Sequence, residues 1–172
     1  MLARILVGFV PLLLGPSLLW AQQRVVYRIP ISGTIENGLA PYVSRVLREA
    51  TDAGAAAALL DIDTPGGRID AAERIVDAVR KAEIPVYAFV NPRAYSAGAM
   101  VALAAKEIYL APAGVIGAAT PVDGQGTKLA EKYVSAMRAA FRALAEATGR
   151  DPKIAEGMVD ESVEIEGLKP LM

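Results

Sequence analysis

Residues 55–68 read AAAALLDIDTPGGR, and the fold follows from how that stretch changes character. Four alanines climb into Leu59, Leu60 and Ile62, an apolar run of the right length for a buried strand. DTPGGR, residues 63–68, then places a proline and two glycines in one sharp turn. Directly after it Ile69, Ala72, Ile75, Val76 and Val79 recur at helical spacing, which predicts a helix over 69–82. A buried strand that turns through Gly-Gly into a helix is a unit of an α/β sheet.

The flanks repeat the alternation. VVYRIPI at 25–31 has β-rich, alternating character, and the turn-prone Ser32-Gly33 and Asn37-Gly38 that follow predict a strand pair opening the domain. Pro41 to Ala53 carries Val43, Val46 and Leu47 at helical spacing with Gly54 as a stop. Downstream, Pro85–Val90 reads as a strand, YSAGAMVALAA (95–105) as a helix of small residues starting at Ser96, and Glu107–Leu110 as a short strand. APAGVIGAATPVDGQG (111–126) shows little helical period. Lys128–Thr148 is the longest predicted helix, ended by Gly149, and Pro152–Val159 a last short one before the acidic tail DESVEIEGLKPLM. The order predicts a parallel or mixed sheet, and 172 residues fit a single domain.

Composition removes whole classes of chemistry. The chain has no cysteine and no histidine, so it has no thiol nucleophile, no Ser-His-Asp triad, no imidazole base and no Cys- or His-ligated metal. Catalysis would run on hydroxyls, carboxylates, lysines, arginines or backbone amides. Eighteen Lys and Arg against 19 Asp and Glu give a net charge of −1 without a long basic run, which argues against nucleic acid as a partner. MLARILVGFVPLLLGPSLLWAQQ (1–23) places Arg4 before an uncharged apolar stretch and Ala21 before polar sequence. Residues 1–21 read as a secretory signal or a retained N-terminal anchor, leaving residues 22–172 as an extracytoplasmic domain.

Three features could carry chemistry, and each has a plain structural alternative. Gly66-Gly67 ends a buried strand just before a helix, where free amides suit a developing oxyanion, but a tight turn needs glycines too. Ser96 starts a helix, where serine commonly caps. The small Ala97, Gly98 and Ala99 leave space above its hydroxyl, and the Ala97 amide would face a carbonyl under attack. A base would be a lysine held neutral by burial, from Lys106, Lys128, Lys132 and Lys153. On the long helix an apolar face of Leu129, Tyr133, Met137, Ala140, Phe141 and Leu144 would turn Lys132 nearer the protein than Lys128.

Taken together, DTPGGR after a buried strand, YSAGAMVALAA thirty residues later, VIGAATPV (115–122), and a lysine at the head of a helix ending ALAEATGRD (143–151) resemble the N-terminal domain of NfeD-type membrane proteases. That family belongs to the Clp-protease class of serine peptidases, and the likeness runs from about Val25 to Val159. It implies a crotonase-like α/β superhelix of ββα units, assembled as dimers or higher oligomers, here lacking the last strand and helix of the domain. It implies Ser96 as nucleophile, Lys132 as general base of a Ser-Lys dyad with Lys128 as the alternative, Gly67 and Ala97 amides as oxyanion hole, and Gly66 and Gly98 in support. No metal or cofactor is implied. The substrates implied are hydrophobic segments of membrane-associated proteins, with stomatin- or prohibitin-like partners. A non-catalytic scaffold binding such segments is the alternative; an acyl-CoA enzyme of the same fold would need an adenine or pyrophosphate site that the sequence does not offer.

Overall fold

The computed structural model describes residues 24–165 and Gly167; the predicted signal segment, residues 1–21, lies outside them. The described residues form ten elements: β1 (Val26–Ser32), α1 (Leu39–Asp52), β2 (Ala57–Thr64), α2 (Ile69–Lys81), β3 (Val86–Tyr95), α3 (Ala97–Leu103), β4 (Glu107–Leu110), β5 (Val115–Gly117), α4 (Glu131–Ala147) and α5 (Pro152–Gly157). The strands form one parallel sheet in the order β1-β2-β3-β4, with β5 also pairing β3.

One face of this sheet is the core. Ile29 and Ile31 on β1, Leu60 and Ile62 on β2, and Ala88 and Val90 on β3 are 0% exposed and sit in register across the strands. The helices contribute Val43, Ile75, Met100 and Val101 to the same cluster. The other face keeps Leu59, Tyr87 and Phe89 only half-buried, Tyr109 exposed, and Arg28 paired with Asp61 across β1 and β2. A parallel sheet covered on both faces reads as continuous apolar runs; the Leu-Leu-Asp-Ile-Asp alternation of β2 reflects cover on one face.

Three expectations are corrected. No strand pair opens the domain: β1 pairs with β2, and residues 33–38 form a loop tied to the end of β2 through Gly33 and to the glycine turn through the bridge of Ile35 to Gly67. The segment without helical period holds a strand, β5, three residues long. The buried face of α4 is set by Val134, Phe141, Leu144 and Ala145, whereas Tyr133 is 49% exposed. Nine residues at ~100° each put Lys132 on the side of α4 opposite Phe141, so the helix turns it outward and leaves it exposed.

Phe141→Ala should therefore lower stability by about 3–5 kcal/mol, because it empties a closed site. Tyr133→Ala should stay within about 0.5 kcal/mol of the parent. Urea unfolding of the two variants checks the assignment of the buried face.

Candidate active site

The site is built where two strand ends meet. At the end of β2, Thr64 is fully buried, and its hydroxyl donates to Gly33 O at 2.6 Å and accepts from the Gly66 amide at 3.0 Å. Ile35 completes the clamp, donating its amide to Gly66 O and accepting from the Arg68 amide, both at 2.8 Å. Gly67 between them has φ +152°, and a Cβ there would stand 2.3 Å from Ile35 O, so any side chain would break the bridge. Fixed from both sides, the Gly67 amide has no protein acceptor among the described residues.

At the end of β3 the chain reverses into α3 through Ser96. Tyr95 is in register with Gly117 on β5, and the Ser96 amide donates to Gly117 O at 2.8 Å. On the other side Ser96 O accepts from the amides of Ala99 and Met100, which begins the helix. Held at both ends, Ser96 adopts φ 52° and ψ −117°, a sparsely populated conformation for a residue with a side chain. Its hydroxyl makes no capping bond, so the serine occupies the cap position without capping. Half-buried, it faces the glycine turn: a Cβ on Gly66 would meet Ser96 Cβ at 2.7 Å and lie 3.4 Å from Ser96 Oγ. Gly98 lets α3 close on β2, since a Cβ there would stand 2.3 Å from Thr64 Cγ2.

The structure thus brings Ser96, Ala97, Gly66, Gly67 and Gly98 together. Ala97, the first residue of α3, offers a free amide beside the serine. The lysines are placed differently. Lys132 is exposed, with its ammonium 4.8 Å from the centre of the Tyr133 ring, and makes no hydrogen bond to Ser96 Oγ among the described residues. The expectation of a buried amine is therefore corrected. Lys128 lies in the loop before α4, where its charge acts on the Asp160 carboxylate. Lys106 sits 6.0 Å from the Tyr87 ring, and Lys153 is exposed on α5. Next to Gly67 the Arg68 guanidinium is occupied by Asp70 at 2.9 and 3.1 Å, and that bond holds the Asp70 carboxyl below its usual range.

Sequence reasoning missed two groups that shape this site. Thr64 touches both the glycine turn and α3; a threonine before Pro-Gly-Gly at the end of a buried strand was its only signal. β5, at three residues, had none of the length that marks a strand, yet it supplies the acceptor for Ser96.

A one-sided parallel sheet with a strained serine at a strand-to-helix corner and a facing Gly-Gly turn defines the class: a Clp-protease-like α/β domain. Among solved structures, ClpP1 from Listeria monocytogenes superposes with a TM-score of 0.61 at 25% identity over 77% of this chain and 78% of that one. The 1510-N membrane-bound stomatin-specific protease, solved as a lysine-to-alanine mutant with a substrate peptide, superposes with a TM-score of 0.77 at 31% identity, covering 81% of this chain and 68% of that one. The chain belongs to the NfeD family: the family described as "NfeD1b, N-terminal domain" matches residues 25–170. Membrane protein NfeD1b of Bacillus subtilis is 45% identical over 84% of this chain and 33% of its own length. Membrane-bound protease PH1510 of Pyrococcus horikoshii is 32% identical over 94% of this chain and 38% of its own. The chain thus spans about a third of the length of these two relatives.

Two substitutions test the construction of the site. Thr64→Val keeps the shape but leaves the Gly66 amide and Gly33 O without their partner, and should cost about 1–3 kcal/mol in chemical unfolding. Ser96→Gly relieves the positive φ and should melt above Ser96→Ala, which keeps it, by an amount equivalent to about 1 kcal/mol.

Proposed function

We propose that this chain is the peptidase domain of a serine endopeptidase that cuts hydrophobic segments of membrane-associated proteins. The observation that carries the reading is Ser96: an uncapped hydroxyl on a strained backbone, beside two amides without acceptors among the described residues. Strain of this kind, about 1–3 kcal/mol, persists where surrounding structure enforces it, and here β5 and α3 do so.

Ser96 Oγ attacks the scissile carbonyl, and the Gly67 and Ala97 amides donate to the oxyanion that forms. Because both amides are backbone groups locked by Ile35 and by α3, they need little reorganisation as charge develops. Lys132 accepts the serine proton and returns it to the leaving amine; Lys128 is the alternative base. This role requires the Lys132 amine to leave the Tyr133 ring. The acyl-serine is then hydrolysed by water, with the same amine as base. No metal or cofactor takes part.

The relatives support the reading. PH1510 is named a membrane-bound protease, and its N-terminal domain, solved as serine-to-alanine and lysine-to-alanine mutants, is described as a stomatin-specific protease. Stomatin- or prohibitin-like proteins are accordingly the proposed substrates and partners. Both curated relatives are named membrane proteins, which supports membrane association; the extracytoplasmic side is proposed from the signal-like residues 1–21 alone. Among the described residues no helix is long and apolar enough to cross a membrane. Homo-oligomer assembly fits the edge strand β4, which pairs only with β3 among the described strands and exposes Tyr109 and Leu110.

A fluorophosphonate probe should label the parent at Ser96. Labelling should vanish in Ser96→Ala, and its rate should fall by about 100-fold or more in Lys132→Ala. A loss in Lys128→Ala with Lys132→Ala unaffected transfers the base to Lys128. Equal labelling of parent and Ser96→Ala overturns the reading. Peptide binding by Ser96→Ala with no cleavage by the parent replaces it with the scaffold alternative.

A further inference from the structure

The chemistry above leaves one buried charge unused. Asp160, just past α5, is 5% exposed, and among the described residues it is the one buried ionisable side chain. Its Oδ1 accepts from the amide and hydroxyl of Ser162, at 3.1 and 2.8 Å. Its Oδ2 accepts from Arg138 of α4. The Arg138 guanidinium reaches in the other direction as well, to 3.6 Å from the carboxylate of Glu131, the first residue of α4. The donors on Ser162, and then the charges of Arg138 and Lys128, hold the Asp160 carboxyl below its usual range.

The neighbours of Asp160 in the chain are bonded to the segment that follows β5. Met158 O accepts from the Ala119 amide and Val159 O from the Thr120 hydroxyl, both at 2.7 Å. Ala119 and Thr120 continue the segment of β5, whose Gly117 O holds the Ser96 amide. Residues 158–160 are therefore bonded to the strand segment of Ser96 by backbone groups and to α4 by a carboxylate.

That second tie is made at Arg138, one turn past Val134, and it reaches the exposed head of α4 through the Arg138–Glu131 pair. Glu131, Lys132 and Tyr133 are exposed, and the first buried side chain of the helix is Val134. Apolar packing fixes α4 from Val134 onward. Its head depends on polar ties: Arg138 with its two carboxylates, and the Leu129 amide bonded to Pro121 O at 2.9 Å.

We propose that Asp160 is a positioning residue which, through Arg138, holds the head of α4 and its lysine in a fixed relation to the strand segment that carries Ser96. Asp160 touches no reacting atom. The proposal rests on the peptidase reading for its catalytic consequence, and on geometry alone for the tie.

The experiment takes the full chain with Asp160→Asn, Arg138→Gln, Arg138→Lys and the double variant Asp160→Asn/Arg138→Gln. It measures kcat and KM on an apolar peptide and amide hydrogen exchange along α4. Asp160→Asn and Arg138→Gln should each lower kcat by about 10- to 100-fold at unchanged KM, the scale of a small misplacement of a catalytic group. Arg138→Lys should recover most of that loss. The double variant should be no worse than either single one, because the two residues act as one unit. It also leaves no uncompensated buried charge, and so remains informative if a single variant fails to fold. Exchange should quicken at residues 131–133 while 141–147 keep parental protection. Unchanged kcat with unchanged exchange overturns the proposal, and so does exchange that quickens evenly along α4 with melting lowered to match, the mark of general destabilisation. A parent that neither cleaves nor labels overturns the peptidase reading instead; selective exchange at 131–133 then upholds the tie, and its absence overturns it.

Discussion

The bond from the Ser96 amide to Gly117 O organises the rest of this structure. It closes β5 onto the last residues of β3, and so forces the chain to reverse at Ser96 instead of running on as a strand. Once that reversal is imposed, the residue at the corner has positive φ, its hydroxyl is turned away from capping, and α3 begins at once with Ala97. A serine that caps a helix offers its oxygen to a backbone amide and has little left for chemistry. The strain at Ser96 is the reason its oxygen is available.

The opposite wall is made by a different device with the same result. Thr64 and Ile35 occupy both backbone hydrogen-bonding groups of Gly66 and leave the Gly67 amide without an acceptor among the described residues. Two unrelated backbone constraints, one at each strand end, thus leave one free N–H each beside a single hydroxyl. Small residues make the approach possible: Gly66 lies against Ser96, and Gly98 lies against Thr64, so one threonine touches both halves. The apolar face of the sheet beneath is closed by Ile31, Ile62 and Val90, which gives these ends a rigid base.

The flank that carries the lysines is organised by charge more than by packing. Residues 122–133 include no buried side chain, and the ties there run through Asp123, Arg138 and Asp160. Polar ties among partly exposed groups are individually weak, and a short helix end held by them moves more readily than the core. The lysines on this flank are therefore less rigidly placed than the Gly67 and Ala97 amides.

Much of this was legible in the sequence, because it is local. Strand β2 and helix α2 follow from apolar spacing, and the Gly-Gly turn and Ser96 stand at element boundaries that spacing alone locates. The absence of histidine and cysteine limits the chemistry by composition alone. What the sequence could not decide depends on partners distant along the chain. Three residues of β5 are a strand only because β3 lies beside them, and residues 33–38 are a loop because β1 finds its partner in β2. Counting Leu129 and Tyr133 toward the apolar stripe turns Lys132 inward; packing buries Val134 and Phe141 instead and turns the lysine out. The acidic tail gave no sign that Asp160 would be buried, since a carboxylate is buried only where tertiary structure brings it an arginine and hydrogen-bond donors. Sequence periodicity determines which residues make strands and helices, but which side chains meet is decided by packing between segments that periodicity does not connect.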